Sequence, residues 1–331
     1  KDGIGNYDIA LKKDEKETSK EEKPFALSIQ NYEVENLKFT YKDEASKMKM
    51  VLDSINHEGT GNFEQDVLDL DTKTTANLTF DMDKSNFMRN VKISLDAILG
   101  IDLKNSKYTF KENKALINQL PLNFNGFIQM AEKGQVYDLS FNTPSSDFKN
   151  FLGLIPAAYA GSLADVETTG KFEVKGKVKG DLTDTTVPTF NIEMLSNNAS
   201  FKYKDLPKSV KNISIDTHIV NETGLMNDTF VDLDKLSFAI DQDVFNASAH
   251  IKNLTENPNI DAALKGVINL ANVSKAYPIK LEKPLNGILR ADVKAAFDMK
   301  SVETSQYQNI KNSGNINLTG FNYAGPEMAK P

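Results

Sequence analysis

His57, His218 and His250 are the three histidines of this 331-residue chain, and imidazole is the side chain best suited to proton transfer or metal ligation near neutral pH. Their settings give such chemistry little support. His57-Glu58 lacks the second histidine that a zincin helix places four residues on. His218 and His250 end the alternating segments NISIDTHI and FNASAHI in the register that faces water, which reads as two exposed strand histidines; the sequence leaves open whether they meet in space. Carboxylates are plentiful but fall at turns and on solvent faces. Asp241 and Asp243 flank a hairpin tip, and Asp69, Asp71, Asp81 and Asp83 alternate along one strand's outer side. A calcium loop of the EF-hand type needs a central glycine and a closing glutamate that this stretch lacks, so these carboxylates read as charge that discourages edge-to-edge pairing.

Nucleophile and phosphate motifs are equally thin. No Gly-x-Ser-x-Gly elbow occurs. Residues 170–177 (GKFEVKGK) have one residue too many between their glycines for a phosphate loop, lack the Ser or Thr after Lys, and alternate like a strand. Gly59-Thr-Gly61 is a lone glycine pair. The chain has no cysteine, which removes disulfides, thiolate nucleophiles and Cys-ligated zinc. The expectation is a protein that is not an enzyme, with no catalytic residues, no cofactor and no metal.

The elements that would position any site are strands. LSFAI turns through DQD into FNASAHI, and the same apolar/polar alternation recurs in LTFDM, VKISLDAIL, KFEVKGKV, FNIEM, SFKY, NISIDTHI and LNGILRADVKAAF. Period two puts one side of each strand on an apolar face and the other in water. Residues 131–135 have the glycine and charges of a hairpin loop, with 136–141 as the return strand. The segment 144–161 breaks the rhythm: Ser and Asp offer an N-cap, Phe148, Phe151, Leu152 and Ile155 follow at helical spacing, and Pro156 ends or kinks the helix. Residues 207–210 and 273–277 are shorter helical candidates. This divides the chain into an N-terminal β segment (1–143), a helical punctuation (144–165) and a second β segment (166–331). A loose internal repeat is visible. NFNGFIQM resembles PLNGILRADV, and DLDTKTTANLTFDMD resembles VDLDKLSFAIDQD, as in an array whose units bury their faces against one another.

Composition sets the outer limits. Hydrophobic residues make up 40% and charged residues 26%, and the net charge is −7 with both signs interspersed; this reads as a folded, soluble chain. No basic stripe stands out, so nucleic acid is not an expected partner. The longest apolar run, 151–161, falls far short of the ~20 residues that span a bilayer. The abrupt beginning at Lys1 and end at Pro331 read as an excised piece of a longer protein.

The apolar face can be buried between two sheets, closed into a barrel, or left as the floor of an open curved sheet. Few helices are available to cover it, and its inward positions are nearly all aliphatic or aromatic, which favours the groove. At about 0.8 kcal/mol per CH₂ withdrawn from water, a sixteen-carbon tail laid in such a groove gains on the order of 10 kcal/mol. Three stretches carry a resemblance: ETTGKFEVKGKVKGDL (167–182), NNASFKYKDLPKSVKNISIDTHIVN (197–221) and LSFAIDQDVFNASAHIKNLTENPNIDAALKGVINLANVSKAYPI (236–279). In these stretches, and above all in the order of strand, hairpin, strand, Asn-Leu, Pro and Asp-x-x-Leu-x-Gly-x-Ile-x-Leu within 236–279, the chain resembles the bacterial AsmA-like family over a third to a half of its length. That resemblance implies a periplasmic protein anchored in the inner membrane by a helix that this chain lacks. It also implies kinship with bridge-like proteins built of repeated β-grooves, a part in outer-membrane biogenesis and phospholipid movement between inner and outer membranes, and envelope proteins as possible partners. The fold expected is mainly β: an elongated, curved antiparallel groove with a few short helices and a continuous trough that nothing in the chain plugs. Its expected lining is Leu78, Phe80, Ile93, Leu95, Phe172, Val174, Phe190, Ile192, Phe201, Ile213, Ile215, Leu236, Phe238, Phe245, Ile251, Leu264, Ile268, Leu289 and Phe297, with phospholipid acyl chains as the ligand. The alternative from another class is an adhesin-like or scaffold β-array with a sealed core.

Overall fold

A computed structural model describes residues 30–44, 48–82, 85–144, 146–152, 166–278 and 285–322. The alternating segments form strands almost without interruption. In the first half these are β1 (Asn31–Asp43), β2 (Met48–Thr60), β3 (Val67–Met82), β4 (Ser85–Asp102), β5 (Lys107–Ile117), β6 (Leu120–Met130) and β7 (Gln135–Asn142). The two-residue β8 (Ser146–Asp147) and the helix α1 (Phe148–Leu152) follow. Then come β9 (Val166–Leu182), β10 (Thr189–Tyr203), β11 (Val210–Asn221), β12 (Phe230–Ile240), β13 (Asp243–Lys252), β14 (Asn259–Asn269), the helix α2 (Leu270–Ala276), β15 (Asn286–Asp298), the helix α3 (Met299–Glu303) and β16 (Lys311–Asn322).

All sixteen strands belong to one antiparallel sheet. It runs in chain order from β1 to β16, with β7 bonded directly to β9 and β8 clipped beside β9. β1 and β16 are its two edges, so the sheet is neither a sandwich nor a closed barrel. Fifteen strands abreast at about 4.8 Å each make a surface roughly 67 Å across.

The pairing keeps one face apolar throughout. Phe172, Ser196, Ile215, Leu236, Ala247, Leu264 and Val293 stand in one row across seven strands. In the first half Phe39, Leu52, Leu78 and Val91 form one row, and Leu95, Ala115 and Leu122 form another. Phe124 and Phe141 carry the face on to β9 opposite Gly176. The other face is mostly charged. Its direct cross-strand pairs include Lys175–Glu193 at 2.7 Å, Lys179–Asp138 at 3.0 Å and Lys265–Asp292 at 2.9 Å. Exposed pairs of this kind add little stability, but they penalise a one-residue slip that would turn them inward.

Bulges bend the sheet. Register shifts interrupt β1–β2, β2–β3, β9–β10, β10–β11, β11–β12 and β12–β13. Asn36, Ser54, Asn90, Asn198 and Asn212 adopt the left-handed backbone within strands, the conformation Asn tolerates best after Gly. Gly126 does the same at φ +117°, where an added Cβ would lie 1.9 Å from the Asp138 carbonyl oxygen. Gly287, at the matching position of the internal repeat, has φ +122°. On the apolar side α2 bridges β14 to the turn before β11, where the Lys275 carbonyl accepts the Lys208 N–H at 3.0 Å.

Helices are few, as composition and alternation predict. α1 covers only the first turn of the helix expected within 144–161, and residues 153–165 lie outside the described residues, as does the mixed-charge stretch KKDEKETSKEEK at 12–23. α2 contains most of the expected 273–277 helix, capped by Asn269, whose side chain accepts from the Ala271 N–H at 3.1 Å. The helix expected at 207–210 does not form. Residues 204–209 make a turn, and Val210 begins β11 opposite Ile240, because four residues between long strands cannot repay helix nucleation.

Phe172 lies fully buried beneath α1 with Phe148, Leu152, Val166, Ala199 and Tyr203 around it. Truncation to Ala is expected to cost about 3–5 kcal/mol, read as a lowered urea midpoint, whereas Leu264→Ala, at a site 37% exposed, should cost less than half as much. The α3 cap gives a pH signature. Hydrogen bonds from the Asn257 amide and then the Ser301 hydroxyl and N–H hold Asp298 at a pKa of about 2. A depressed carboxyl pKa stabilises the fold above its unfolded value, near 3.8, and that contribution disappears as pH falls toward 2. Carboxyl NMR should show Asp298 titrating near 2, and Asp298→Asn should flatten the loss of stability between pH 4 and 2.

Candidate functional site

The apolar face is the largest feature that side-chain type and topology build together. All nineteen positions expected to line a groove fall on this one face. β3 and β4 supply Leu78, Phe80, Ile93 and Leu95. β9 and β10 supply Phe172, Val174, Phe190, Ile192 and Phe201, and β11 and β12 supply Ile213, Ile215, Leu236 and Phe238. Phe245, Ile251, Leu264, Ile268, Leu289 and Phe297 follow on β13 to β15. Their exposure differs. Phe172 and Ile213 are buried, Leu264 is exposed, and the rest are half-buried.

The difference comes from two covers, and here the expectation of an unplugged trough needs correction. The first cover is α1 and α2, on the end of the face where β9, β11 and β13 begin. Phe148 and Leu152 of α1, with Ala276 of α2, close over Phe172, Ala199, Tyr203, Val210, Ile213 and Ile240. The Phe151 ring lies 4.4 Å from Phe172, and Tyr277 meets Tyr203 edge-on at 5.8 Å. At Phe172 and Ile213 the face is therefore closed core, and Phe201, Val174, Ile215 and Phe238 pack against it. The second cover sits at the opposite end of the first half. There the β2–β3 loop brings Phe63 over Tyr32, with ring centroids 5.9 Å apart, beside Leu68, Leu70, Leu99, Ile101 and Tyr108. The covers lie on opposite ends of different halves. Between them runs an oblique band that includes Leu95, Phe124, Phe141, Val178, Ile192, Ile219, Leu233 and Ile260, all half-buried except for exposed stretches of their neighbours.

Polar groups interrupt the face more often than alternation suggests, and the chain satisfies those whose partners can be traced. His57 faces the apolar side, with Tyr32 Oη 2.6 Å from Nε2 and Thr74 Oγ1 2.8 Å from Nδ1. Thr72 donates to the Ala97 carbonyl at 3.0 Å, Ser196 to that of Lys171 at 2.9 Å, and Thr217 to that of Asp232 at 2.8 Å. Groups satisfied in this way make no demand on a ligand. Aromatic rings fill the band: Phe110 meets Phe124 edge-on at 4.9 Å, and Phe238 lies 5.6 Å from Phe245. Such a lining offers dispersion and little directional bonding.

The charged face carries the other expected groups. Asp69, Asp71 and Asp81 point to it, and Lys111 pairs with Asp69; Asp83 lies outside the described residues. Asp241 pairs with Lys208 at the hairpin tip, whereas Asp243, paired with Ile240, takes the apolar register and accepts from the Asn269 N–H at 3.0 Å and the Asn272 amide at 3.1 Å, tying the tip to α2. His218 and His250 face this side, two strands apart with Asp232 between them, in the row Glu193, His218, Asp232, His250, Asp261. His250 is engaged by Asp232. His218 lies between Asp216 and Asp234, a grouping the sequence reading missed. The Asp-x-His spacing of 216 and 218 was visible, but Asp234 reaches it only through a bulge. A shallow depression of about 710 Å³ on this side is lined by Asp232, Ser248, His250, Asp261 and Lys294 among others. Among the described residues no helix is long and apolar enough to cross a membrane.

No protein-family model, curated protein or solved structure matches this chain.

An uncovered apolar band predicts a dye signature. The folded chain should bind an environment-sensitive apolar dye without denaturant, and Ile192→Asp should lower that signal while far-UV circular dichroism stays unchanged. Signal unaltered in this variant would place the dye elsewhere.

Proposed function

We propose that this chain is a non-enzymatic lipid-conducting groove, a β-groove segment of an AsmA-like envelope protein. In that role it supports phospholipid movement between inner and outer membranes from a periplasmic position, with the membrane anchor in another part of the protein. The observation that carries this reading is the single open sheet with one apolar face held in phase from β1 to β16 and, among the described residues, covered only at two opposite ends. An apolar face that the described residues leave partly open is the kind of surface that takes an apolar partner. Acyl chains suit it because they need no polar contacts, and the internally bonded Thr72, Ser196 and Thr217 leave none to make. Headgroups would stay in solvent at the rims. The uniform lining supports sliding: a tail that moves from one strand to the next exchanges like contacts for like.

The test is lipid content and transfer. Chain purified without detergent should release phospholipid on solvent extraction, show lipid adducts in native mass spectrometry, and speed transfer of labelled phospholipid between vesicles. Ile192→Asp, in the uncovered band, should cut transfer several-fold while the fold survives. Phe238→Asp, at the margin of the closed core, should also destabilise. Lipid-free wild-type chain with no transfer activity would end the reading.

One observation favours a second reading, an interaction scaffold. Among the described residues neither edge has a further strand beside it, with Leu37, Phe39 and Tyr41 exposed on β1 and Ile316, Leu318 and Phe321 exposed on β16. Such edges accept a further strand. That reading expects no bound lipid and a partner protein lost when β16 is altered.

A further inference from the structure

We propose that Asp216, His218 and Asp234, on the charged face, bind one divalent transition-metal ion of the zinc type. Asp216 and His218 are two residues apart on β11 and so project from the same side. Asp234 comes from β12, where the register jumps from Asp216 opposite Lys235 to Thr217 opposite Leu233. Asp234 is the residue this bulge leaves unpaired, and the bulge turns its carboxylate toward the imidazole.

The donor atoms sit at coordination spacing. His218 Nε2 is 3.4 Å from Asp216 Oδ1 and 3.6 Å from Asp234 Oδ2, and one donor atom from each residue lies within 4.8 Å of the others. Both separations exceed the usual N–H···O range of about 2.7–3.2 Å. They are close to the roughly 3.3 Å between ligands of a tetrahedral ion with bonds of about 2.0–2.1 Å. A second observation points into the same space: Asp216 Oδ1 is shut off from solvent and accepts no hydrogen bond. An anionic oxygen in that state is costly unless a cation meets it. Among the described residues its one ion-pair contact is the His218 imidazole of the site itself, at 3.4 Å. Lys175 is held by Glu193 at 2.7 Å, and His250 is taken by Asp232. One imidazole with two carboxylates favours zinc, cobalt or nickel over calcium or magnesium, which prefer all-oxygen shells. The three side chains are 42%, 29% and 60% exposed in chain order, so an ion can enter without unfolding, and a water can complete the shell. Bound there, the ion would clip β11 to β12 at the bulge. The site lies on the face away from the lipid band and does not depend on that reading.

The experiment uses tag-free chain stripped with a chelator, titrated with zinc chloride by calorimetry and with cobalt chloride by visible absorption. One ion per chain is expected, with the d–d bands of a four- or five-coordinate cobalt. His218→Gln and Asp234→Asn should each weaken binding by more than about tenfold, the least that loss of even an outer-shell partner brings, while His250→Gln leaves it unchanged. Circular dichroism reports folding of each variant. If His218→Gln unfolds, Asp234→Asn on the exposed bulge decides the matter alone. No uptake by wild-type chain, wild-type affinity in a folded Asp234→Asn variant, or loss of binding on His250→Gln would overturn the proposal.

Discussion

The structure depends on phase. A strand offers its side chains to alternate faces, and a sheet of fifteen strands keeps one face apolar only if every strand enters the ladder in the same sense. Strands this long need bends, and the bulges that supply them each insert a residue that would invert the pattern beyond it. The chain resolves this by changing its sequence period where it bulges. On β10 the apolar face is held by Ser196 and then by Ala199, three residues on, with left-handed Asn198 between them. On β12 it is held by Leu233 and then by Leu236. The neighbouring β11 places left-handed Asn212 beside the β10 bulge. The extra residue is taken up within each of these bulges, so the apolar set continues on the same side.

That continuity creates an energetic tension. A sheet packed on one side only loses the burial that a second sheet would provide, at about 25 cal/mol for each Å² of apolar surface left in water. Two small cores offset part of this, one under α1 and α2 and the other under Phe63. Their position at opposite ends of different halves anchors the sheet without sealing the band between them. Polar residues that fall on the apolar side bond to backbone exposed by bulges or to one another, as His57 does with Tyr32 and Thr74, so the surface stays dry in character even where its composition is mixed.

Much of this was legible in the sequence because period two is a local signal. Phe238 and Phe245 face the same way as Leu236, and Leu289 the same way as Ile268, as alternation within each segment requires. The order and antiparallel sense of the strands follow from short connections. What stayed hidden was non-local. Phe172 reads the same as Ile192 in sequence, yet one lies under α1 and the other in the uncovered band, because the helix that separates them packs across strands that no local pattern identifies. The 207–210 segment carries a helix-compatible proline, but the pairing of Val210 with Ile240 overrides it. Asp234 carries no local signal of its role, since its meeting with His218 depends on the β11–β12 pairing.

The two faces are then products of one constraint. Holding the apolar side in phase requires bulges, and on a two-faced sheet a bulge acts on both sides. The inserted residue keeps Leu233 and Leu236 together on the apolar face, and the same insertion pushes Asp234 out of register on the charged face toward His218. A regular β12 would have seated Asp234 in an ordinary cross-strand pair, and His218 would face only Asp232 and Glu193 across the ladder. The polar cluster is thus no independent feature added to a groove. It stands where it does because the strand had to gain a residue there to keep its greasy side continuous.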